Sequence, residues 1–215
     1  MKSLSLNNSV PIVYLITDRG RLPGKQDSTN LASLISFLYS AARAGVDMIQ
    51  IRERDLSAKS LFTLTEEVIN NSRPHNTQVL INDRADVARA AGAGLHLTTR
   101  SMKAETIRKT FGPEILVGVS THSLEEAEAA GYGGADFIVF GPVFETESKK
   151  SYGPPVGLDK LEEVCRKLQI PVIALGGITL SNFRLALDRG ASGIAAISLF
   201  TDADDLRAVV RAIRS

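Results

Sequence analysis

His122 is the side chain best suited by type to moving a proton, and Arg52 and Lys149 are cations among the polar residues that follow otherwise apolar runs. Histidine titrates near neutrality, which makes His122 the natural proton-transfer group. Arg52 lies in the run Gln50-Ile51-Arg52-Glu53-Arg54. In extended backbone alternate residues share a face, so Gln50, Arg52 and Arg54 should project together and Glu53 should turn away. An arginine placed there is costly unless an anion or a carboxylate answers it. An ion pair with Asp18, Asp83 or Glu53 is the plain structural alternative. Further polar candidates are Asn82 and Asp83, Ser120, Thr146 and Ser148, and Ser198. Gly176 and Gly177 lack side chains, so backbone N–H groups there can approach an oxyanion. The three histidines have no metal-ligand spacing, and His75 and His96 read as ordinary structural residues. Asp83 can contact magnesium or equally cap a helix beginning near Arg84.

The elements that must position these groups recur eight times: a short β-branched run, a turn, then an amphipathic segment. The runs are 13–17, 48–52, 78–81, 94–97, 115–119, 137–140, 172–175 and 194–198. They are short and apolar, as strands buried on both faces are. Helical spacing lies between them, as in Leu31, Leu34, Ile35, Leu38 and Ala42, or Leu206, Val209, Val210 and Ile213. Ser57, Ser123 and Ser181 suit helix N-caps, and Glu126 follows Ser123 at capping-box spacing. Eight strand–helix units predict an α/β fold closed as a (β/α)8 TIM barrel. An open doubly wound sheet is the competitor, but the residues after Thr17 lack a Gly-x-Gly-x-x-Gly turn. In a barrel, ligands meet the carboxyl ends of the strands, where the polar clusters fall. A phosphate commonly sits between the seventh and eighth loops. Residues 1–215 are expected to form one domain, with 1–12 an N-terminal extension and 13–215 the barrel core.

Composition bounds the alternatives. The 215 residues, 44% hydrophobic, are enough for one large core. With 25 basic against 24 acidic residues the net charge is +1, so no overall field collects nucleic acid. The lone Cys165 cannot form an intrachain disulfide. It falls at helical spacing with Leu158, Leu161, Val164 and Leu168, which makes it a buried small hydrophobe. Met1 to Ser9 is polar, and no apolar stretch approaches the roughly 20 residues that cross a bilayer. A cytoplasmic protein without a membrane partner is expected. Barrels often pair through outer helices, so a homodimer stays open, although no exposed apolar stripe marks its interface. The segments 19–28 and 145–155 are candidate covers over the site.

Several segments, in this order, resemble the thiamine phosphate synthase and TenI family. They are the Gln50–Arg54 run, Leu80-Ile81-Asn82-Asp83-Arg84, and Gly118-Val119-Ser120-Thr121-His122-Ser123-Leu124-Glu125-Glu126-Ala127. Phe140-Gly141-Pro142-Val143-Phe144-Glu145-Thr146-Glu147-Ser148-Lys149 follows, then the glycine and serine segments of strands seven and eight. The resemblance spans nearly the whole chain and implies a TIM barrel acting on thiamine precursors. One branch joins a pyrimidine pyrophosphate to a thiazole phosphate; the other isomerises a thiazole phosphate to its aromatic tautomer. For the synthase, the resemblance makes Gln50 a pyrimidine-side contact and places Arg52, Asn82 and Lys149 around pyrophosphate. Ser120 would add a polar contact, and Thr146 and Ser148 would be the two sixth-loop hydroxyls. Gly177, Ile197 and Ser198 would hold the thiazole phosphate. Mg2+ would be held by Asp83 and a second aspartate after strand four.

Two departures bear on the branch. Ser101 stands where the second aspartate belongs, and Arg54 replaces a lysine, keeping charge but changing donor geometry. Val143-Phe144-Glu145-Thr146 resembles the TenI branch, since synthases tend to have proline before the threonine. The expected function is therefore a TenI-like thiazole phosphate tautomerase that needs no cofactor and acts on a small phosphorylated thiazole. His122 would shuttle the proton with Arg52 and Lys149 as its catalytic companions. Gln50, Arg54, Asn82, Ser120, Thr146 and Ser148 would bind substrate, and Gly176, Gly177, Ile197 and Ser198 its phosphate. The alternatives are a Mg2+-dependent synthase using Asp83, and a barrel that only binds a thiazole or thiamine phosphate.

Overall fold

The computed structural model describes residues 10–22, 31–146 and 154–215. Its strands are β1 (Ile12–Ile16), β2 (Met48–Ile51), β3 (Gln78–Asn82), β4 (Gly94–Leu97), β5 (Val117–Thr121), β6 (Phe137–Phe140), β7 (Val172–Leu175) and β8 (Gly193–Ala196). All are parallel and pair in chain order, and β8 closes on β1. The fold is thus the expected (β/α)8 barrel. The helices are α1 (Leu31–Ala44), α2 (Ala58–Ser72), α3 (Ala85–Ala91), α4 (Ala104–Phe111), α5 (Leu124–Tyr132), α6 (Gly157–Lys167), α7 (Phe183–Asp188), α8 (Ser198–Thr201) and α9 (Leu206–Arg214). Among the described residues no helix is long and apolar enough to cross a membrane.

Period-two alternation divides the core into two. On β1, Ile12, Tyr14 and Ile16 enter the barrel with Met48, Leu80, Phe137, Val139, Ile173 and Ala195. Val13 and Leu15 face outward into the larger cluster under the helices. The helices close that cluster with one stripe each, such as Leu34, Leu38, Ala41 and Ala42 of α1 or Val209, Val210 and Ile213 of α9. Burial on both faces explains why the strand runs look uniformly apolar. Cys165 is half-buried on α6, and burial pushes its thiol up to about 11, so it is no ready nucleophile.

Several boundaries differ from the expected ones. Strand five starts at Val117 and runs to Thr121, two residues later than its apolar run, because Ser120 and Thr121 pair with Val139 and Phe140. The strand itself therefore carries Ser120. Strand eight stops at Ala196, and Ile197 and Ser198 pass into α8. Ile12 belongs to β1 rather than to an extension. Ser57 and Ser123 cap α2 and α5 as expected, accepting from the amides of Ser60 and Glu126. Ser181 does not cap α7. Asn182 precedes that helix, and its amide side chain bridges Thr179 N and Gly177 O instead.

Candidate active site

At the carboxyl ends of β2 to β5 the barrel lining turns polar. Gln50, Asn82, His96 and Ser120 occupy this rim, one on each strand. Gln50 Nε2 donates to Asn82 Oδ1 at 3.0 Å, and His96 Nε2 lies 2.8 Å from Ser120 Oγ. Tyr14 crosses from β1 to place its hydroxyl 3.1 Å from His96 Nδ1, with its ring edge-on to Phe137. Burial, helped by the charge of Arg52, pushes His96 down to about 3, so its ring is neutral. Gln50 Oε1 is buried without a hydrogen-bond donor. Leaving a buried acceptor unpaired costs about 1–3 kcal/mol. A ligand N–H would answer it.

Above this rim sits Arg52. Among the described residues its half-buried guanidinium forms no ion pair; burial, then the like charge of Arg54, pulls its pKa below the ordinary value against the attraction of Asp18 and Glu53. The structural alternative, an ion pair of Arg52 with Asp18, Asp83 or Glu53, is not formed among the described residues. Glu53 is buried and engaged on the side of Thr17, which continues the outward parity of Val13 and Leu15. Thr17 Oγ1 donates to it at 2.6 Å and Arg19 Nη1 at 2.7 Å, while Arg19 also pairs with Asp55. The same Thr17 hydroxyl accepts from Arg52 N at 2.9 Å. Glu53 thus braces the turn that presents Arg52. Arg54 is exposed, because β2 ends at Ile51 and strand alternation does not govern residues beyond it.

The loops add further groups around this mouth. Asp83 is exposed in left-handed backbone, with its N–H on His96 O at 2.9 Å; it does not cap α3, which starts after Arg84. His122 is exposed, its N–H donating to Glu126 Oε2 at 2.7 Å. Its Nδ1 meets Gly141 O, and since a carbonyl only accepts, Nδ1 carries the hydrogen there. Gly176 and Gly177 have a packing reason to be glycine. A Cβ on Gly177 would lie 2.3 Å from Glu145 O, and one on Gly176 2.5 Å from Pro142 Cα. The seventh loop therefore nests on the sixth, joined by Val143 N to Leu175 O and Phe144 N to Gly176 O. Half-buried Ile197 and exposed Ser198 begin α8, whose first amides have no intrahelical acceptor. Thr146 is half-buried; Ser148 and Lys149 lie outside the described residues, as do 23–28 and 147–153 of the two candidate covers.

The family description "thiamine monophosphate synthase" matches residues 13–200. The chain belongs to this family. It is 37% identical to a thiamine-phosphate synthase of Roseiflexus castenholzii over 215 residues, covering 97% of this chain and 91% of the relative. A thiamine-phosphate synthase of Clostridium novyi is 36% identical over 196 residues, 91% of this chain and 93% of that one. Among solved structures, thiamine phosphate pyrophosphorylase from Pyrococcus furiosus superimposes with a TM-score of 0.82 at 29% identity. That match covers 96% of this chain and 95% of the other.

These relatives overturn the expected TenI branch and its tautomerase activity. The expectation leaned on local replacements, chiefly Ser101. Ser101 Oγ accepts from Thr98 N at 2.8 Å and lies 3.0 Å from Thr98 Oγ1, so it closes its own turn. Likeness along the whole chain outweighs such a change. The thiamine monophosphate synthase family is one of enzymes, which also displaces the binding-only reading. From the sequence, Tyr14 has no evident role, His96 only a plain structural one and Glu53 a place off the site's face. The available signal was parity: Tyr14 shares a face with Ile12 and Ile16, and a hydroxyl inside a barrel needs a partner.

Proposed function

We propose that this chain is a thiamine-phosphate synthase, joining hydroxymethylpyrimidine pyrophosphate to thiazole phosphate with release of pyrophosphate. The observation that carries this reading is the half-buried Arg52, which forms no ion pair among the described residues, two positions from Gln50 with its unpaired Oε1. A cation so placed favours negative charge as it develops on a leaving pyrophosphate. Gln50 would accept from an N–H of the pyrimidine. Arg52, Asn82, Ser120 and Lys149 would surround the pyrophosphate, and Thr146 and Ser148 would add hydroxyls from the sixth loop. Gly177, Ile197 and Ser198 would hold the thiazole phosphate, with Gly176 shaping the turn.

Magnesium fits this mouth through one carboxylate. Among the described residues there is no cluster of three or more His, Cys, Asp or Glu. Asp83 is the exposed carboxylate at the end of β3. Mg2+ commonly takes one or two carboxylates together with substrate phosphates. Asp83 would thus hold the ion jointly with the substrate's own oxygens, and the ion would draw charge off the departing pyrophosphate. The purified chain, given both precursors and Mg2+, should release thiamine phosphate and pyrophosphate in equal amounts and stop when a chelator is added. Failure to form thiamine phosphate from the two precursors would overturn the reading.

A further inference from the structure

We infer that His96 is a positioning residue: Tyr14 fixes it as the Nε2–H tautomer, and this turns the Ser120 hydroxyl into a hydrogen-bond donor facing the barrel mouth. The argument begins with Tyr14. Its phenol is fully buried, and its hydroxyl has His96 Nδ1 as its partner at 3.1 Å. If Nδ1 carried the ring hydrogen, the phenol would have to accept, and its own hydrogen would be buried with no acceptor. The phenol therefore donates and Nδ1 accepts. A neutral ring with Nδ1 accepting must carry its hydrogen on Nε2. The same contact makes the ring neutral, since a charged imidazole offers no acceptor nitrogen, while burial keeps the phenol protonated by pushing its pKa well above the ordinary value.

The consequence passes to Ser120. Its Oγ, 2.8 Å from Nε2, must accept from the ring. The hydroxyl hydrogen is then directed away from His96 at half-buried Ser120, on the rim shared with Asn82 and below Arg52. A serine whose lone pair is engaged from behind and whose hydrogen points forward recognises an acceptor-only group. A diphosphate oxygen is such a group, and that identity alone rests on the synthase reading. The other tautomer would leave Ser120 free to donate inward, and its preference for an anion would fade.

Nitrogen-15 NMR of histidine-labelled protein at pH 7 tests the ring directly, with the His96 signals assigned by their loss in H96Q. The expected spectrum has Nδ1 unprotonated and Nε2 protonated; a protonated Nδ1 overturns the inference. Titration of inorganic pyrophosphate tests the consequence. S120A and H96L should each weaken binding about tenfold, and the double variant H96L/S120A should weaken it no further. H96Q, whose amide can still donate toward Ser120, should recover most of the loss. Independent, multiplying losses, or an H96Q no better than H96L, would refute the coupling. Because the tautomer is read without substrate, a chain that makes no thiamine phosphate yet shows Nε2–H would sink the synthase reading and leave this one standing.

Discussion

At the amino ends of the strands, Arg108 bridges α4 to Asp136 and to the carbonyls of Gly134, Pro113 and Ile115. Arg214 ties α9 to Asp47 and Gly45 O, while Asp47 also accepts from Val13 N at 2.7 Å. At the carboxyl ends the groups nearest the axis are left open. Arg52 forms no ion pair among the described residues, feeling Asp18 and Glu53 only through the field, and Gln50 Oε1 has no donor. Even there one neighbouring charge is fully answered, since Glu53 takes Arg19 and Thr17. A cation whose partners all come from the chain fastens the fold. A half-buried cation left without them is held for something the chain does not contain.

Substitutions at the two ends should separate these roles. R52M should lower kcat/KM by about 100-fold or more, the scale of one lost transition-state contact, with the melting temperature unchanged or higher. R108M should do the converse. It strips several charge-assisted hydrogen bonds, worth about 2 kcal/mol together, which lowers the melting temperature by roughly 4–8 °C. Its kcat/KM, measured well below that temperature, should stay within about twofold. If R108M lost activity as R52M does, the division between the ends would fail.

Acid should find the carboxyl end first. Burial holds His96 at about 3, whereas an unfolded imidazole titrates near 6.5. Between those values the unfolded chain binds a proton that the folded chain refuses, so this stability is whole above about pH 6.5 and is lost as pH falls. At pH 5 the loss should be about 2 kcal/mol, and denaturant melts at pH 7 and pH 5 should show it shrinking in H96Q. G177A should come next. Its Cβ would press on Glu145 O and displace the sixth loop, costing about tenfold in kcat/KM. The smallest effect belongs to S123A, which should remove about 1 kcal/mol of helix capping with little change in kcat/KM, and a shift in activity there would blur the comparison.

The barrel was legible because eight apolar runs alternate with helical patterns, a signal that survives small errors in each run. Strand five was placed two residues early because Ile115 and Leu116 are as apolar as the residues that pair. Hydrophobicity does not reveal where a ladder begins. Gln50, Arg52, Asn82 and Ser120 were found because polar side chains at strand ends stand out against apolar neighbours. Tyr14 and His96 stood in plain apolar strands and passed for core. Alternation gave Glu53 a face but not its partners, because Thr17 and Arg19 come from the end of another strand. The branch was misjudged at Ser101, whose bonds to Thr98 belong to a turn and carry no information about the reaction.

Calorimetric titration of inorganic pyrophosphate into the wild-type chain, R52M and R108M tests the central claim most directly. The account predicts measurable binding by the wild type, affinity at least about tenfold weaker for R52M, and wild-type affinity for R108M. Equal binding by all three proteins, or a loss confined to R108M, would contradict it.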